Sequence, residues 1–97
     1  MGMDLVPRKG GQSVHYNWSG WRALIAFLGE DLTPAFSGSN DGDYINAPTC
    51  HDVADAIESR RNEYNAIYAS PDPGGYGNDP ATEHAKAWRE SGGMRQW

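Results

Sequence analysis

The sequence predicts an α+β fold in which three helices pack on a small antiparallel sheet, within a single domain that spans residues 1–97. Three separate segments place apolar residues at spacings of three and four, the period of an amphipathic helix. Short alternating stretches near both ends and in the middle are typical of half-buried strands. A chain of 97 residues is long enough to bury one core without disulfides or bound metals. Its lone Cys50 cannot form an internal disulfide.

The first elements are predicted to be two strands and a helix. Residues 1–6 alternate apolar Met3 and Leu5 with Asp4 and Val6, and the segment Pro-Arg-Lys-Gly-Gly that follows is a turn. Residues 13–16 form a second short strand. The helix covers residues 18–28, with Asn17 or Ser19 as the N-cap and Gly29 as the C-cap. Its apolar stripe consists of Trp18, Trp21, Leu24, Ile25 and Leu28.

The middle of the chain is predicted to contain a loop, a short strand and the second helix. Residues 30–39 are a loop with one apolar anchor, Phe36, and the dipeptide Asp-Gly at 41–42 is a turn before a strand at residues 44–45. The second helix begins at Thr49, where Thr49-x-x-Asp52 resembles a capping box. Its exposed side carries Asp55, Glu58, Arg60, Arg61 and Glu63. Its buried stripe is Val53, Ala54, Ile57, Tyr64, Ile67 and Tyr68.

The last third is predicted to be a loop, the third helix and a final strand. Residues 70–80 are too rich in proline and glycine for regular structure. Asp79 is the expected N-cap, with Pro80 as the first residue of a helix that continues to about Glu90. Ser-Gly-Gly at 91–93 ends that helix, and residues 94–97 close the fold as an edge strand. The narrow apolar face of this third helix is Ala81, Ala85 and Trp88.

Charge and hydropathy narrow the classes of partner. The net charge is −5, and residues 41–63 hold six acids against two arginines. A protein that binds duplex nucleic acid usually has a basic face, so we expect no direct nucleic-acid partner. No apolar run is long enough to span a membrane, which predicts no membrane partner and a cytoplasmic protein.

The patterns that would indicate catalysis or a metal are weak. The adjacent Cys50 and His51 would point apart on a helix, and no zinc spacing occurs, so we expect neither a metal nor a cofactor. A calcium loop with Gly42 at its sixth position would place Pro48 where the bidentate glutamate belongs. A small hydrolase built on Cys50 or the histidines is therefore the last of three hypotheses, and we expect no enzyme.

Aromatic and polar residues beside the first helix favour a ligand-binding site. A helix N-terminus suits an anion, tryptophan and tyrosine rings suit a base, and Arg22 could pair with a phosphate. Trp18 and Trp21 also lie on the helix stripe, where a core role competes with a binding role. The candidate ligand-binding residues are His15, Tyr16, Asn17, Trp18, Trp21, Arg22, Ser39, Asn40, Asp41, Asp43 and Tyr76.

Four short segments together resemble a known group of proteins. They are the opening Met-Gly-Met-Asp, Asn17-Trp18-x-x-Trp21-Arg22, Ser39-Asn40-Asp41-Gly42 and Arg89-x-Ser91-Gly92-Gly93. This combination resembles small uncharacterised proteins carried by bacteriophages, prophages and their hosts. The resemblance implies a phage-encoded protein in the host cytoplasm that counters host defence by binding something.

Two binding hypotheses follow, and a homo-oligomer is compatible with both. In the first, the protein sequesters a nucleotide-like small molecule, such as a host immune signal. In the alternative, it is an anti-CRISPR or anti-nuclease inhibitor that binds a host defence protein through an acidic face. The partner-binding residues of the alternative are Asp52, Asp55, Glu58 and Glu63.

Overall fold

A computed structural model describes residues 2–33, 36, 43–69 and 79–97 as an α+β domain with one antiparallel sheet. The four strands are β1 (Gly2–Pro7), β2 (Val14–Asn17), β3 (Tyr44–Asn46) and β4 (Gly93–Gln96). The four helices are α1 (Trp18–Leu28), α2 (Ala47–Ser59), α3 (Arg61–Tyr68) and α4 (Pro80–Glu90). The predicted fold class is confirmed, but the described part of the chain has four helices where three were expected.

The additional helix arises because the second predicted helix divides at Arg60. That residue leaves the helical region, with φ −120° and ψ 40°. Its guanidinium donates to the carbonyl oxygen of Phe27 at 2.6 Å and lies 4.2 Å from the centre of the Phe27 ring. This contact satisfies a free carbonyl near the end of α1, which the periodicity of α2 could not indicate.

The sheet has the strand order β2-β1-β4-β3, with all neighbours antiparallel. The prediction that residues 94–97 form an edge strand was wrong, since β4 lies between β1 and β3. Leu5 is paired with Gln96, and Ile45 is paired with Met94. A four-residue pattern carries no information about how many neighbours a strand has, so the sequence could not distinguish a centre from an edge.

The helix ends follow the predicted chemistry at two places and depart from it at two. Asn17 caps α1, because its side chain accepts from Gly20 N at 2.6 Å, and Gly29 ends the helix with φ 84°. The capping box at Thr49 was wrong, since Asn46 caps α2 by accepting from Thr49 N at 2.9 Å. Asp79 precedes Pro80 as expected, but its side chain makes no capping bond.

The core lies between the helices and one face of the sheet. Phe36 is the predicted loop anchor, and its ring stacks on Trp21 and on Trp88 at centroid distances of 5.0 and 6.0 Å. Ile67 was predicted to flank the buried stripe, but it is 46% exposed because the break at Arg60 turns α3. The fully buried large side chains come from all four described helices and from β1, β3 and β4, and they are Trp21, Trp88, Tyr64, Met3, Leu5, Leu24, Ile45, Ile57, Met94, His84, Gln96 and Val53.

Candidate functional site

The residues predicted to bind a ligand lie in several different environments. Tyr16 and Trp21 are buried in the core, and Trp18 is half-buried against it. The exposed members are His15, Asn17, Arg22 and Asp43. Ser39, Asn40, Asp41 and Tyr76 lie outside the described residues.

The structure separates His15 from Asp43. His15 is on β2, at one edge of the sheet, whereas Asp43 directly precedes β3 at the opposite edge. Three strand spacings of about 4.8 Å separate these edges, which gives roughly 14 Å. The described members of the predicted site therefore do not form one cluster around the start of α1.

Tyr16 belongs to a buried polar cluster instead. Its hydroxyl lies 2.7 Å from that of Tyr64 and accepts from Trp88 Nε1 at 3.4 Å. The Tyr64 hydroxyl is hydrogen-bonded in turn to His84 Nδ1. Beside them, the Tyr68 hydroxyl donates to the carbonyl oxygen of Gly20 at 2.6 Å. These hydrogen bonds lie inside the core, and they connect β2, α1, α3 and α4 with one another.

Burial governs the titration of this cluster and of the cysteine. Burial lowers the pKa of His84 to about 4, so its imidazole is neutral near pH 7. Burial also raises the pKa of the Tyr68 hydroxyl. The Cys50 thiol is buried and lies 3.7 Å from the carbonyl oxygen of Ile45, and its pKa is raised by burial. Cys50 is therefore a thiol, while the neighbouring His51 is exposed.

The acidic residues of α2 and α3 are exposed, as the alternative hypothesis requires, but most of them are paired within the chain. Arg89 donates to Asp55 at 2.9 Å and to Glu58 at 2.7 Å, and Arg60 donates to Glu63 at 2.7 Å. The guanidinium of Arg60 lowers the pKa of the Glu63 carboxyl. Asp52 is also exposed. The acidic surface is thus interleaved with arginines.

The face of the sheet that points away from the core carries a different set of side chains. Along each strand the residues alternate between buried and exposed, so every second side chain reaches this open face. Val6, Arg95 and Tyr44 form one row across three strands. Asp4 and His15 belong to the next row and are joined by a 2.5 Å bond between Oδ1 and Nδ1. We call these side chains, with Arg8, Asn17 and Trp97, the open face.

Tyr44 is held on the open face by two backbone features. Its hydroxyl donates to the carbonyl oxygen of Gly92 at 3.1 Å. The hydroxyl end of its ring lies over Gly93, where an added Cβ would be 2.0 Å from Tyr44 Oη. The Arg95 guanidinium lies 5.7 Å from the centre of the ring. The ring is therefore fixed across the sheet and accompanied by a cation.

A shallow cavity of about 530 Å³ adjoins this ring. It is lined by Val6, Pro7, Arg8, Tyr44 and Arg95. Its described lining holds two arginines and no acid, in a protein whose net charge is −5. A planar anion suits such a cavity, because a ring can stack on tyrosine while an oxyanion pairs with guanidinium groups.

Sequence reasoning missed most of the open face. Arg8 was assigned to a turn, Tyr44 to a short strand, and Arg95 and Trp97 to an edge strand. They converge because β3 and β1 flank β4, and no spacing in the sequence encodes that order. The available signal was the alternation of residues 3–6, which places Val6 on the face opposite to Met3 and Leu5.

Neither known proteins nor the other described side chains indicate a further site. No family model, curated protein or solved structure matches the chain. Among the described residues, no three histidine, cysteine or acidic side chains are grouped so that they could hold a metal ion. No helix in the described ranges is both long and apolar enough to cross a membrane.

Proposed function

We propose that this protein is a non-catalytic binding protein that sequesters a nucleotide-like small molecule on the open face of its sheet. The observation that carries the proposal is the cavity beside Tyr44, with Arg8 and Arg95 in its lining. Stacking of a base on an aromatic side chain contributes about 1–3 kcal/mol, and an arginine can bind a phosphate through two parallel hydrogen bonds. His15 and Asn17, two residues of the predicted site, belong to the same face but lie on β2, at the opposite edge of the sheet from Tyr44.

A binding role fits the described chemistry better than the hydrolase hypothesis. The thiolate is the nucleophilic form of cysteine, and burial favours the neutral thiol of Cys50. The buried His84 is neutral and hydrogen-bonded to Tyr64, within the core. Neither group faces the cavity of the open face, so the proposal assigns them structural roles.

The identity of the ligand as a signal of host defence is also part of the proposal. Its support is the resemblance of Asn17-Trp18-x-x-Trp21-Arg22 and the other short segments to phage proteins. The inhibitor hypothesis has weaker support, because Asp55 and Glu58 are already paired with Arg89. A partner protein would have to compete with that arginine for both carboxylates.

A panel of mononucleotides, dinucleotides and ADP-ribose derivatives tests the proposal by thermal denaturation. A ligand at one hundred times its dissociation constant should add about 2.7 kcal/mol of stability. Tyr44→Ala and Arg95→Ala should each reduce the shift in melting temperature. Lys86→Ala is the matched control, because it removes an exposed cation from α4. The proposal fails if no compound raises the melting temperature, or if Lys86→Ala reduces the shift as much as Arg95→Ala.

A further inference from the structure

A second aromatic side chain of the open face, that of Trp97, lies outside the described lining of the cavity. Trp97 is 50% exposed, and its backbone N–H donates to the carbonyl oxygen of Asp4 at 2.7 Å. This bond continues the pairing of β4 with β1, and Trp97 is two residues beyond Arg95, so both reach the same face. Tyr44 is paired with Arg95, which makes Tyr44 and Trp97 diagonal neighbours across two strands. The positions of diagonal neighbours on a sheet are roughly 7–8 Å apart, and the Tyr44 ring leans towards Gly93, on the side of Arg95 away from Trp97.

We propose that the ligand of the open face is a free dinucleotide, with one base on Tyr44, the other on Trp97, and the linking phosphate at Arg95. This inference rests on the proposed function and names its substrate class. Arg95 is paired with Tyr44 and is two residues before Trp97 on the same strand. A phosphate that links a base on Tyr44 to a base on Trp97 would therefore lie near the Arg95 guanidinium. Arg8 supplies a second cation in the same cavity.

The positions of the two residues on the sheet select unstacked bases. Successive bases in one strand of a duplex are about 3.4 Å apart, less than the roughly 7–8 Å between the positions of Tyr44 and Trp97. Two bases that stack separately on Tyr44 and Trp97 must be spread apart, as they are in proteins that bind unpaired nucleotides. A mononucleotide would occupy one ring and leave the other in water.

The charge distribution favours a small ligand over a polymer. In the described part of the chain, the cations of this region are Arg8 and Arg95, with Lys9 packed over Gly92. Its acids are Asp4, which is hydrogen-bonded to His15, and the exposed Asp43. The chain as a whole has a net charge of −5, which opposes the approach of a long polyanion. A ligand with one or two phosphates meets the local arginines and is repelled less by the net negative charge of the protein than a long polyanion would be.

The experiment compares adenosine monophosphate with the linear dinucleotide ApA by isothermal titration calorimetry on the whole chain. ApA should bind on the order of 5- to 100-fold more tightly, because it adds one stacked base. Trp97→Ala should remove this difference, and Trp97→Phe should retain most of it, because phenylalanine keeps a stacking surface. Lys86→Ala should leave the ratio of the two affinities unchanged.

The outcomes separate this inference from the function on which it rests. Equal affinities for the mononucleotide and ApA, both reduced by Tyr44→Ala, would overturn the dinucleotide while the proposed function stands. A difference that persists in Trp97→Ala with an unchanged circular dichroism spectrum would also overturn it. A hexanucleotide of adenosine that binds more than tenfold tighter than ApA would make single-stranded nucleic acid the ligand instead. Failure of every nucleotide to bind would reject the proposed function itself.

Discussion

The two faces of one sheet differ in what their side chains do. On the covered face, residues such as Met3, Leu5 and Ile45 are excluded from water by the helices. On the open face, Val6, Tyr44 and Trp97 are 42%, 36% and 50% exposed. The same four strands therefore provide stability on one side and an accessible surface on the other, with successive residues assigned to opposite tasks.

The polar groups of the two sides differ in the same way. Behind the covered face, the hydroxyls of Tyr16 and Tyr64 and the ring of His84 are bonded to one another. On the open face, the described polar contacts include a surface pair between His15 and Asp4 and an arginine near a tyrosine ring. Exposed contacts of this kind contribute little to stability, so the fold does not depend on them.

The largest contrast is expected from two neighbouring residues of β1. Leu5→Ala should destabilise the protein by about 2–5 kcal/mol, because it opens a cavity behind the covered face. Val6→Ala should change stability by less than about 0.5 kcal/mol, since its side chain faces water. Urea denaturation of both variants measures the difference, and similar costs would show that the two faces are not distinct.

Acid should lower the free energy of unfolding through protonation of His84, which lies behind the covered face. Its pKa is lowered to about 4 in the folded state, against an ordinary value of about 6.5 in the unfolded chain. The unfolded chain therefore takes up the proton first, and the stability present above pH 6.5 falls as the pH decreases towards 4. The loss should approach about 3 kcal/mol at pH 4.

Denaturation at a series of pH values checks this prediction. His84→Gln should flatten the dependence of the free energy of unfolding on pH between 6.5 and 5. His15→Gln and His51→Gln are the controls, because both side chains are exposed. An unchanged slope in His84→Gln would assign the acid sensitivity to other groups.

A smaller effect is expected at Gly93, the residue of β4 over which the Tyr44 ring lies on the open face. Its φ is 123°, and an added Cβ would be 2.0 Å from Tyr44 Oη. Gly93→Ala should cost about 1–3 kcal/mol and displace the tyrosine ring, so that nucleotide binding weakens. Gly10→Ala is the control, because its φ is also positive at 76° but nothing lies within 4 Å of an added Cβ. Calorimetric titration of both variants would contradict the assignment if their affinities were equal.

The local elements were the predictable part of the fold. The alternation of residues 3–6 fixed the two faces of β1, and the spacing of Trp21, Leu24 and Leu28 fixed the buried side of α1. The break at Arg60 was not predictable, because it depends on a carbonyl group of Phe27 that is distant in sequence. The same holds for the central position of β4.

The site was predicted at the start of the first helix, together with residues near Asp43 and Tyr76, whereas the proposed site lies on the open face around Tyr44 and Arg95. Aromatic residues near a helix start cannot be sorted into core and surface by composition, and Tyr16 and Trp21 proved to be core residues. The side chains of the open face are separated by dozens of residues in the chain. Their proximity depends on strand order, which is a property of the whole sheet.

The pairing of the first strand with the last has a consequence for folding. Because β1 and β4 are the two central strands, the β4 side of β1 has no strand partner until residues such as Leu5 and Gln96, which are far apart in sequence, come together. Closure of the sheet therefore depends on a contact of large sequence separation, which is formed slowly compared with local contacts. Loss of β4 would remove one neighbour of β1 and the only strand neighbour of β3 in the described sheet, so it would prevent the sheet from closing rather than trim its surface.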